Sequence, residues 1–268
     1  EVELFLEALT RRHGYDFRHY AKASMKRRVL ALAQAQGVGD ISELIPRLLH
    51  DEGFLPEVLS RLSVPVTEMF RDAGVFLALR REVLPILASY PSIAIWQAGC
   101  ATGEEPYSLA IMLKEEGLLH KTQIYATDIN DVALAKAEEG IYPDGVIAAG
   151  SANYLASGGK ASLSDYFHSA YKFSKISDEI RQRIVFAHHN LVADGVFCEM
   201  HMVVCRNVLI YFERSLQNRV VGLFHEALVR GGFLCLGHRE SLQFTEFENH
   251  FRAVDHARRI YKKQGSGK

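Results

Sequence analysis

The chain has 268 residues, 48% hydrophobic and 24% charged, with a formal net charge of −1, enough for one large domain or a core domain with a small partner. Near-neutrality argues against a general nucleic-acid binder, which needs a positive excess to neutralise phosphates. No apolar run approaches the length of a membrane span, and no secretory signal is visible, so a membrane protein is not expected.

In chain order, the first 75 or so residues read as helices only. Residues 3–12, 18–36, 41–50 and 54–62 carry helical apolar spacing, with Gly37 and Gly53 as stops. In the second of these, Arg18, Lys22 and Lys26 recur at four-residue intervals with Arg27 and Arg28 beside them, a basic stripe along one helix face. Most charge runs are solvated faces, but such a stripe also suits an acidic partner.

From Ile93 onward strands alternate with helices. The strand candidates are 93–98, 123–128, 184–189, 201–205 and 233–237, with a final pair near 242–247 and 255–262; helices fall at about 106–117, 131–139 and 213–229. The alternation predicts an α/β fold, a doubly wound, mostly parallel sheet with helices on both faces. The organisation expected is a helical N-terminal domain over 1–75 and an α/β domain over 76–268. Between Gly140 and Arg183 the alternation lapses into Gly145, Gly150, Gly158, Gly159 and several serines, then an aromatic-rich run from Asp165 to Phe173. Structureless loops of that length are uncommon, so an inserted subdomain over about 141–183 is expected.

The most informative stretch runs from Trp96 to Met112. Ile93 to Trp96 reads as a buried strand, Gly99 to Gly103 as a tight turn, and Tyr107 to Lys114 has helical spacing. Strand, glycine turn and helix start make the nucleotide-binding corner of an open α/β sheet. Gly99 and Gly103 have three residues between them, which is not the Gly-x-Gly-x-x-Gly of dinucleotide sites, and Gly103 is followed by Glu104 rather than the Lys of a P-loop. The carboxylates Glu104 and Glu105 suit a ligand with a positive end and no pyrophosphate, which points to S-adenosylmethionine with its sulfonium and ammonium groups.

Each later strand also ends in a polar residue. Asp128 closes the second and is placed to accept hydrogen bonds from ribose hydroxyls. Asn190 and Leu191 follow another, where the amide can read an adenine edge, and Arg206 and Asn207 follow the strand before Val208 to Phe212. The four cysteines (Cys100, Cys198, Cys205, Cys235) are widely spaced in largely apolar runs, the pattern of reduced thiols in a cytoplasm rather than of disulfides or a zinc site. The twelve histidines include no helical His-x-x-x-His pair, and no metal is expected.

Together the motifs resemble the CheR family of bacterial chemotaxis protein-glutamate O-methyltransferases. The resemblance rests on Gly-Cys-Ala-Thr-Gly-Glu-Glu-Pro-Tyr-Ser from Gly99, Ala-Thr-Asp-Ile-Asn from Ala126, and Cys-Arg-Asn-Val-Leu-Ile-Tyr-Phe from Cys205. Val66 to Asp72 resembles the family's Leu-Thr-x-Phe-Phe-Arg-Glu segment, and Gly231 to Ser241 its Gly-x-x-Leu-x-x-Gly-His-Ser-Glu strand. It covers nearly the whole chain. It implies a class I methyltransferase-like fold, S-adenosylmethionine as methyl donor and S-adenosylhomocysteine as product. It further implies that Thr67, Arg71, Glu105, Asp128, Asn190, Leu191, Arg206 and Asn207 line the cofactor site beside Gly99 and Gly103, with Glu104 a rival to Glu105, and that Arg71 and Tyr211 stand at the reacting centre. Pro65 occupies a position where tethered members often carry Asn, so the resemblance does not extend there.

The family's substrates are acidic, glutamate-bearing helices in the cytoplasmic domain of chemoreceptors, which makes Lys22, Lys26 and Arg28 the expected docking residues. Some members also dock on a pentapeptide at the receptor's C-terminus through a glycine-containing hairpin in the insertion. No glycine lies between Ser164 and Ile184 here, so a member that needs no such tether is expected. Three other readings compete with this one: a non-catalytic S-adenosylmethionine-binding regulator, a methyltransferase for a different substrate, and a dehydrogenase. Intact Arg71, Asn207 and Tyr211 argue against the first, overall neutrality against a nucleic-acid version of the second, and the glycine spacing against the third.

Overall fold

A computed structural model describes residues 1–265, so the last three positions of the 76–268 range lie outside the described residues. Helices α1 (Val2–His13), α2 (Lys22–Ala35), α3 (Leu44–His50) and α4 (Phe54–Leu62) make up the N-terminal unit. Gly14 closes α1 at φ 80°, where its N–H reaches the Thr10 carbonyl. Helix α2 starts at Lys22, later than its spacing suggests. The residues before it are held instead by backbone bonds to the far end of the chain: Ala21 N donates to Tyr211 O and Glu213 N to His19 O, both at 2.8 Å. Arg18 therefore lies off the helix, paired with Asp16 at 2.7 Å and Glu7 at 2.8 Å, and is not part of the expected stripe.

Helices α5 (Ala73–Ala78) and α6 (Leu84–Leu87) are joined by a wide π-type turn, Leu79–Val83, in a stretch for which the sequence reading offered no element. Pro85 lacks an N–H and crowds the carbonyl one turn back, and the wider turn ahead of it absorbs that clash.

Strands β1 (Ile93–Ala98) and β2 (Thr122–Asp128) flank helix α7 (Glu104–Glu115), and helix α8 (Asp131–Glu139) follows β2. The insertion holds strand β3 (Ile141–Pro143), helix α9 (Asp144–Ala156), strands β4 (Phe167–Ala170) and β5 (Phe173–Ile176), and helix α10 (Asp178–Arg181). Strands β6 (Ile184–His188) and β7 (Met200–Cys205), helix α11 (Arg214–Ala227), and strands β8 (Leu228–Leu236), β9 (Phe251–Asp255) and β10 (Ile260–Lys263) complete the fold. The main sheet has seven strands in the order β6-β2-β1-β7-β8-β10-β9, parallel from β6 to β8 and antiparallel from β8 to β9. It is the doubly wound, mostly parallel sheet expected of a class I methyltransferase fold. One expected strand is absent: residues 242–247 form a turn, because Thr245 N and Oγ1 both donate back to Leu242 O, at 3.1 and 2.7 Å. The final hairpin is β9 with β10.

Alternation along the strands divides the core in two. Ile95, Met202, Val204 and Phe233 face α5, α7 and the insertion. Trp96, Val203, Leu234 and Leu236 face α11 and join one cluster with Phe5, Leu32 and Leu62 of the N-terminal helices. The helical unit thus shares a core with one sheet face rather than standing apart from it.

The insertion is a small three-stranded antiparallel sheet, order β3-β5-β4, with α9 packed beside it. Helix α9 runs through alanines and glycines that carry no clear amphipathic pattern; its buried stripe is Ile147, Gly150 and Tyr154. A Cβ at Gly150 would stand 2.6 Å from Met69 Cβ, so glycine permits close packing here rather than marking a loop. The β4–β5 turn places Tyr171 (φ 51°) and Lys172 (φ 69°) in the left-handed region that glycine or asparagine ordinarily fills.

Candidate active site

Strand β1 pairs with β2 on one side and β7 on the other, so the connections leave β1's carboxyl end in opposite directions and open a crevice there. A cavity of about 330 Å³ occupies it, within the range of small-molecule sites. Every strand end flagged in the sequence contributes to its wall: Gly99 after β1, Asp128 after β2, Asn190 and Leu191 after β6, and Arg206 and Asn207 after β7. Thr67, Arg71, Glu105 and Tyr211 line it as well.

The corner after β1 is built for close approach. Gly99 has φ 75°, and a Cβ there would lie 2.4 Å from Val208 Cγ2. The Ala101 N–H donates to Asp128 Oδ2 at 2.9 Å and the Asn130 N–H to Oδ1 at 3.0 Å, so backbone donors aim the carboxylate before any ligand arrives. Burial pushes Asp128 above the ordinary carboxylate range, and those N–H groups pull it partly back.

Of the two adjacent glutamates, Glu105 faces the cavity. Gln97 Nε2 donates to Glu105 Oε2 at 2.9 Å, and Arg206 Nη1 pairs with Glu105 Oε1. Arg206 Nη2 reaches Asp72 Oδ2 at 2.6 Å and the Arg71 carbonyl at 2.9 Å. Burial opposes the Arg206 charge, but Glu105 and Asp72 outweigh it and hold the guanidinium protonated above its ordinary range. Glu104, by contrast, is not on the cavity wall; it accepts from Thr102 Oγ1 at 2.7 Å, and burial raises its pKa above the ordinary value. Gly103 is also off the wall. At φ 96° a Cβ would meet Ala137 Cβ and Tyr142 Oη, each at 2.9 Å, so this glycine serves the packing of α7 against α8 and β3.

The opposite wall comes from the helical unit. Arg28, expected on the exposed stripe, is 8% exposed. It sits 4.7 Å over the Tyr211 ring, donates to the Leu62 carbonyl and lines the cavity. Lys22 and Lys26 do face outward, beside a second hollow of about 470 Å³ between α1 and α2. Arg71 lies between Phe70 (φ 52°) and Asp72 (φ 56°), an unusual backbone that turns the segment at the cavity. Its own contact is a long one, Nη1 to the Val66 carbonyl at 3.4 Å. Among the described residues neither Arg28 nor Arg71 has an acidic partner, and the pairing of Arg71 with Asp72 that sequence adjacency suggests is pre-empted by Arg206.

Sequence reasoning missed Phe17, Tyr20, Ser63, Val64 and His189 on the wall. Tyr20 falls within, and Phe17 just before, the segment read as the second helix. Phe17 packs on Tyr20 and Tyr20 on Phe212 (centroids 4.8 Å apart in each pair), which shows why aromatics stand there. No group of three or more potential metal ligands lies together among the described residues.

Residues 65–260 match the family model for the CheR methyltransferase SAM binding domain, and residues 1–63 the model for the CheR methyltransferase all-alpha domain. The chain belongs to the CheR methyltransferase family. It is similar to a putative methyltransferase, Cher3, of Pseudomonas putida (45% identical, covering 98% of this chain and 96% of that one). It is also similar to the chemotaxis protein methyltransferase of Listeria monocytogenes (30% identical over 89% of this chain and 88% of that one) and to chemotaxis protein methyltransferase 1 of Pseudomonas aeruginosa (30% identical over 95% and 94%). As a family member the chain is an S-adenosylmethionine-dependent methyltransferase, and the cavity's donor set fits that co-substrate. Glu105 and Asp128 are carboxylates on the wall that could accept from ammonium and ribose hydroxyl groups, and Ile129, Leu191 and Val208 give apolar surface that could pack on the base. No helix among the described residues is long and apolar enough to cross a membrane.

Proposed function

We propose that this family member transfers the methyl group of S-adenosylmethionine to glutamate side-chain carboxylates in the cytoplasmic domain of chemoreceptors, forming glutamyl methyl esters for chemosensory adaptation in the cytoplasm. The observation that carries the reading is the pair Arg28 and Arg71, two guanidiniums on the cavity wall with no acidic partner among the described residues. A carboxylate that enters and leaves is the anion such a pair accommodates. The names of the Listeria and P. aeruginosa relatives support a chemotaxis role.

The chemistry asks little beyond placement. A glutamate carboxylate has an unperturbed pKa of about 4.3 and is already ionised near pH 7. One oxygen forms the O–CH3 bond as the S–CH3 bond breaks and its electron pair passes to sulfur, leaving the ester and S-adenosylhomocysteine with no proton transferred. Opposite charges cancel along this path, so in-line positioning and exclusion of water dominate. Arg71 holds one carboxylate oxygen and leaves the other free to attack. The Tyr211 hydroxyl orients the same group, and Arg28, stacked on the Tyr211 ring, adds a second positive charge behind it.

Lys22 and Lys26, exposed on α2, steer the acidic receptor helix toward the cavity. The β4–β5 turn, built on Tyr171 and Lys172 rather than glycine, goes with a member that needs no pentapeptide tether. The test uses methyl-labelled S-adenosylmethionine and a receptor cytoplasmic fragment, scoring alkali-labile release of labelled methanol. Label that is lost with Arg71→Ala supports ester formation at this site; absence of label despite calorimetric binding of S-adenosylhomocysteine overturns the receptor-glutamate reading. Titration with the receptor C-terminal pentapeptide should give no heat, and micromolar binding would overturn tether independence.

A further inference from the structure

The last register pair of β7 and β8 joins Cys205 to Leu236, and beyond it the two parallel strands part. Peptide N–H groups in such a fork have no ladder partner, and when buried they need another acceptor. Glu240 supplies it. Its side chain, 4% exposed, accepts from the backbone N–H groups of Val208 at 2.8 Å, Asn207 at 3.2 Å and Ile210 at 3.3 Å, and from that of Gly237 at 2.5 Å. No cation pairs with it among the described residues, so its donors are backbone groups from both arms of the fork.

Two local features depend on this arrangement. Asn207 has φ 61°, a conformation uncommon for a residue with a Cβ, and it turns the Asn207 N–H toward Glu240 while the residue lines the cavity. Gly237 has no room for a side chain, since a Cβ would lie 2.8 Å from Glu240 Oε2 and 2.9 Å from Asn207 N. The same turn touches the other side of the segment, with His238 Nδ1 3.9 Å from the Asp72 carboxylate that grips Arg206. Residues 237–240 thus hold the backbone N–H groups of Asn207, Val208 and Ile210 and approach the Asp72 carboxylate that pairs with Arg206.

We infer that Glu240, which does not line the cavity, is a positioning residue for methyl transfer: it fixes the loop that presents Asn207, Val208 and Tyr211. Burial pushes its carboxyl above the ordinary range and the N–H donors pull it down, as expected for an acid held by backbone amides rather than by an ion pair. The reading rests on the S-adenosylmethionine site and not on the identity of the acceptor.

The test is Glu240→Gln in the full chain, with Glu240→Asp beside it. Glutamine keeps the shape but aims an amide group at N–H donors; aspartate keeps the charge and shortens the reach. Affinity for S-adenosylhomocysteine by calorimetry should weaken by about tenfold in the glutamine variant, and kcat at saturating S-adenosylmethionine should fall by at least as much, because small misplacement in a methyl-transfer site is expensive in rate. The aspartate variant should lie between it and the parent. A glutamine variant with a lowered Tm but parental Kd and kcat, measured where it is folded, would overturn the proposal and leave Glu240 a stability residue. Should that variant not fold, the aspartate variant decides by the same two quantities. The Kd arm needs no acceptor protein, so its result stands even if receptor glutamate is not the substrate.

Discussion

The two walls of the cavity are built on different rules. On the strand-end wall the charged groups are already engaged: Glu105 with Arg206 and Gln97, Arg206 with Asp72, and Asp128 with two backbone N–H groups. On the helical side, among the described residues, Arg28 and Arg71 hydrogen-bond only to backbone carbonyls, with Arg28 also lying over the Tyr211 ring. The first wall is preorganised, and the second holds two guanidiniums without an acidic partner among the described residues, the place where the proposed function puts the incoming carboxylate. On the proposed function, that difference separates binding of the methyl donor from recognition of the acceptor.

The sharpest way to break that division is Arg206→Leu. It strands Glu105 and Asp72 without their counter-ion and should cost about 3 kcal/mol in denaturant unfolding, with S-adenosylhomocysteine binding lost in calorimetry. Parental unfolding would show that the strand wall is not one electrostatic unit. Arg71→Ala should do the reverse, leaving stability within about 0.5 kcal/mol while lowering kcat/KM for the acceptor roughly 100-fold. A stability loss comparable to that of Arg206→Leu would erase the contrast. Next come the glycines. Gly103→Ala should destabilise the fold by about 1–3 kcal/mol through strain and overpacking yet leave the folded protein's S-adenosylhomocysteine affinity near parental, whereas Gly99→Ala should impair both, as the two differ in facing packed helices or the cavity.

Glu104 offers a pH test. Burial raises its folded-state pKa above the ordinary 4.5, so at intermediate pH the folded protein holds a proton that the unfolded chain has released. Its contribution to stability therefore falls as pH rises from the unfolded value through the folded one. Glu104→Gln should flatten that part of the Tm–pH profile, the remainder being shared with Asp128 and Glu240, which are shifted the same way. A profile superimposable on the parent's would mean that Glu104 ionises as freely as a surface acid. The smallest effect is expected from Lys22→Glu with Lys26→Glu, which should raise the acceptor's KM roughly fivefold at unchanged S-adenosylhomocysteine affinity. An unchanged KM would remove the docking role from α2's outer face.

Much of this was legible in the chain. The glycine turn between β1 and α7, and the polar residues closing β1, β2, β6 and β7, lie in order because an open sheet must place its strand ends along one edge. What was not legible follows from phase and contact. Arg28 was read with Lys22 and Lys26, but α2 starts only at Lys22 because the preceding segment is tied to Tyr211–Glu213, and Arg28 turns inward onto Tyr211. Neighbouring Glu104 and Glu105 cannot be told apart without knowing that Arg206, about a hundred residues away, reaches only the second. Helix α9 was hidden because the glycine that signals a loop in isolation serves close packing against Met69.

By itself the sequence determined the alternation of β1, α7, β2, α8, β6, β7, α11 and β8, the glycine turn after β1 and the family, since these are written in local spacing and in motifs whose residues are adjacent. Only the tertiary structure decided which groups are paired and which stay free. A charge is free or paired according to partners far away in the chain, and burial, which sets how strongly that matters, belongs to the folded chain alone.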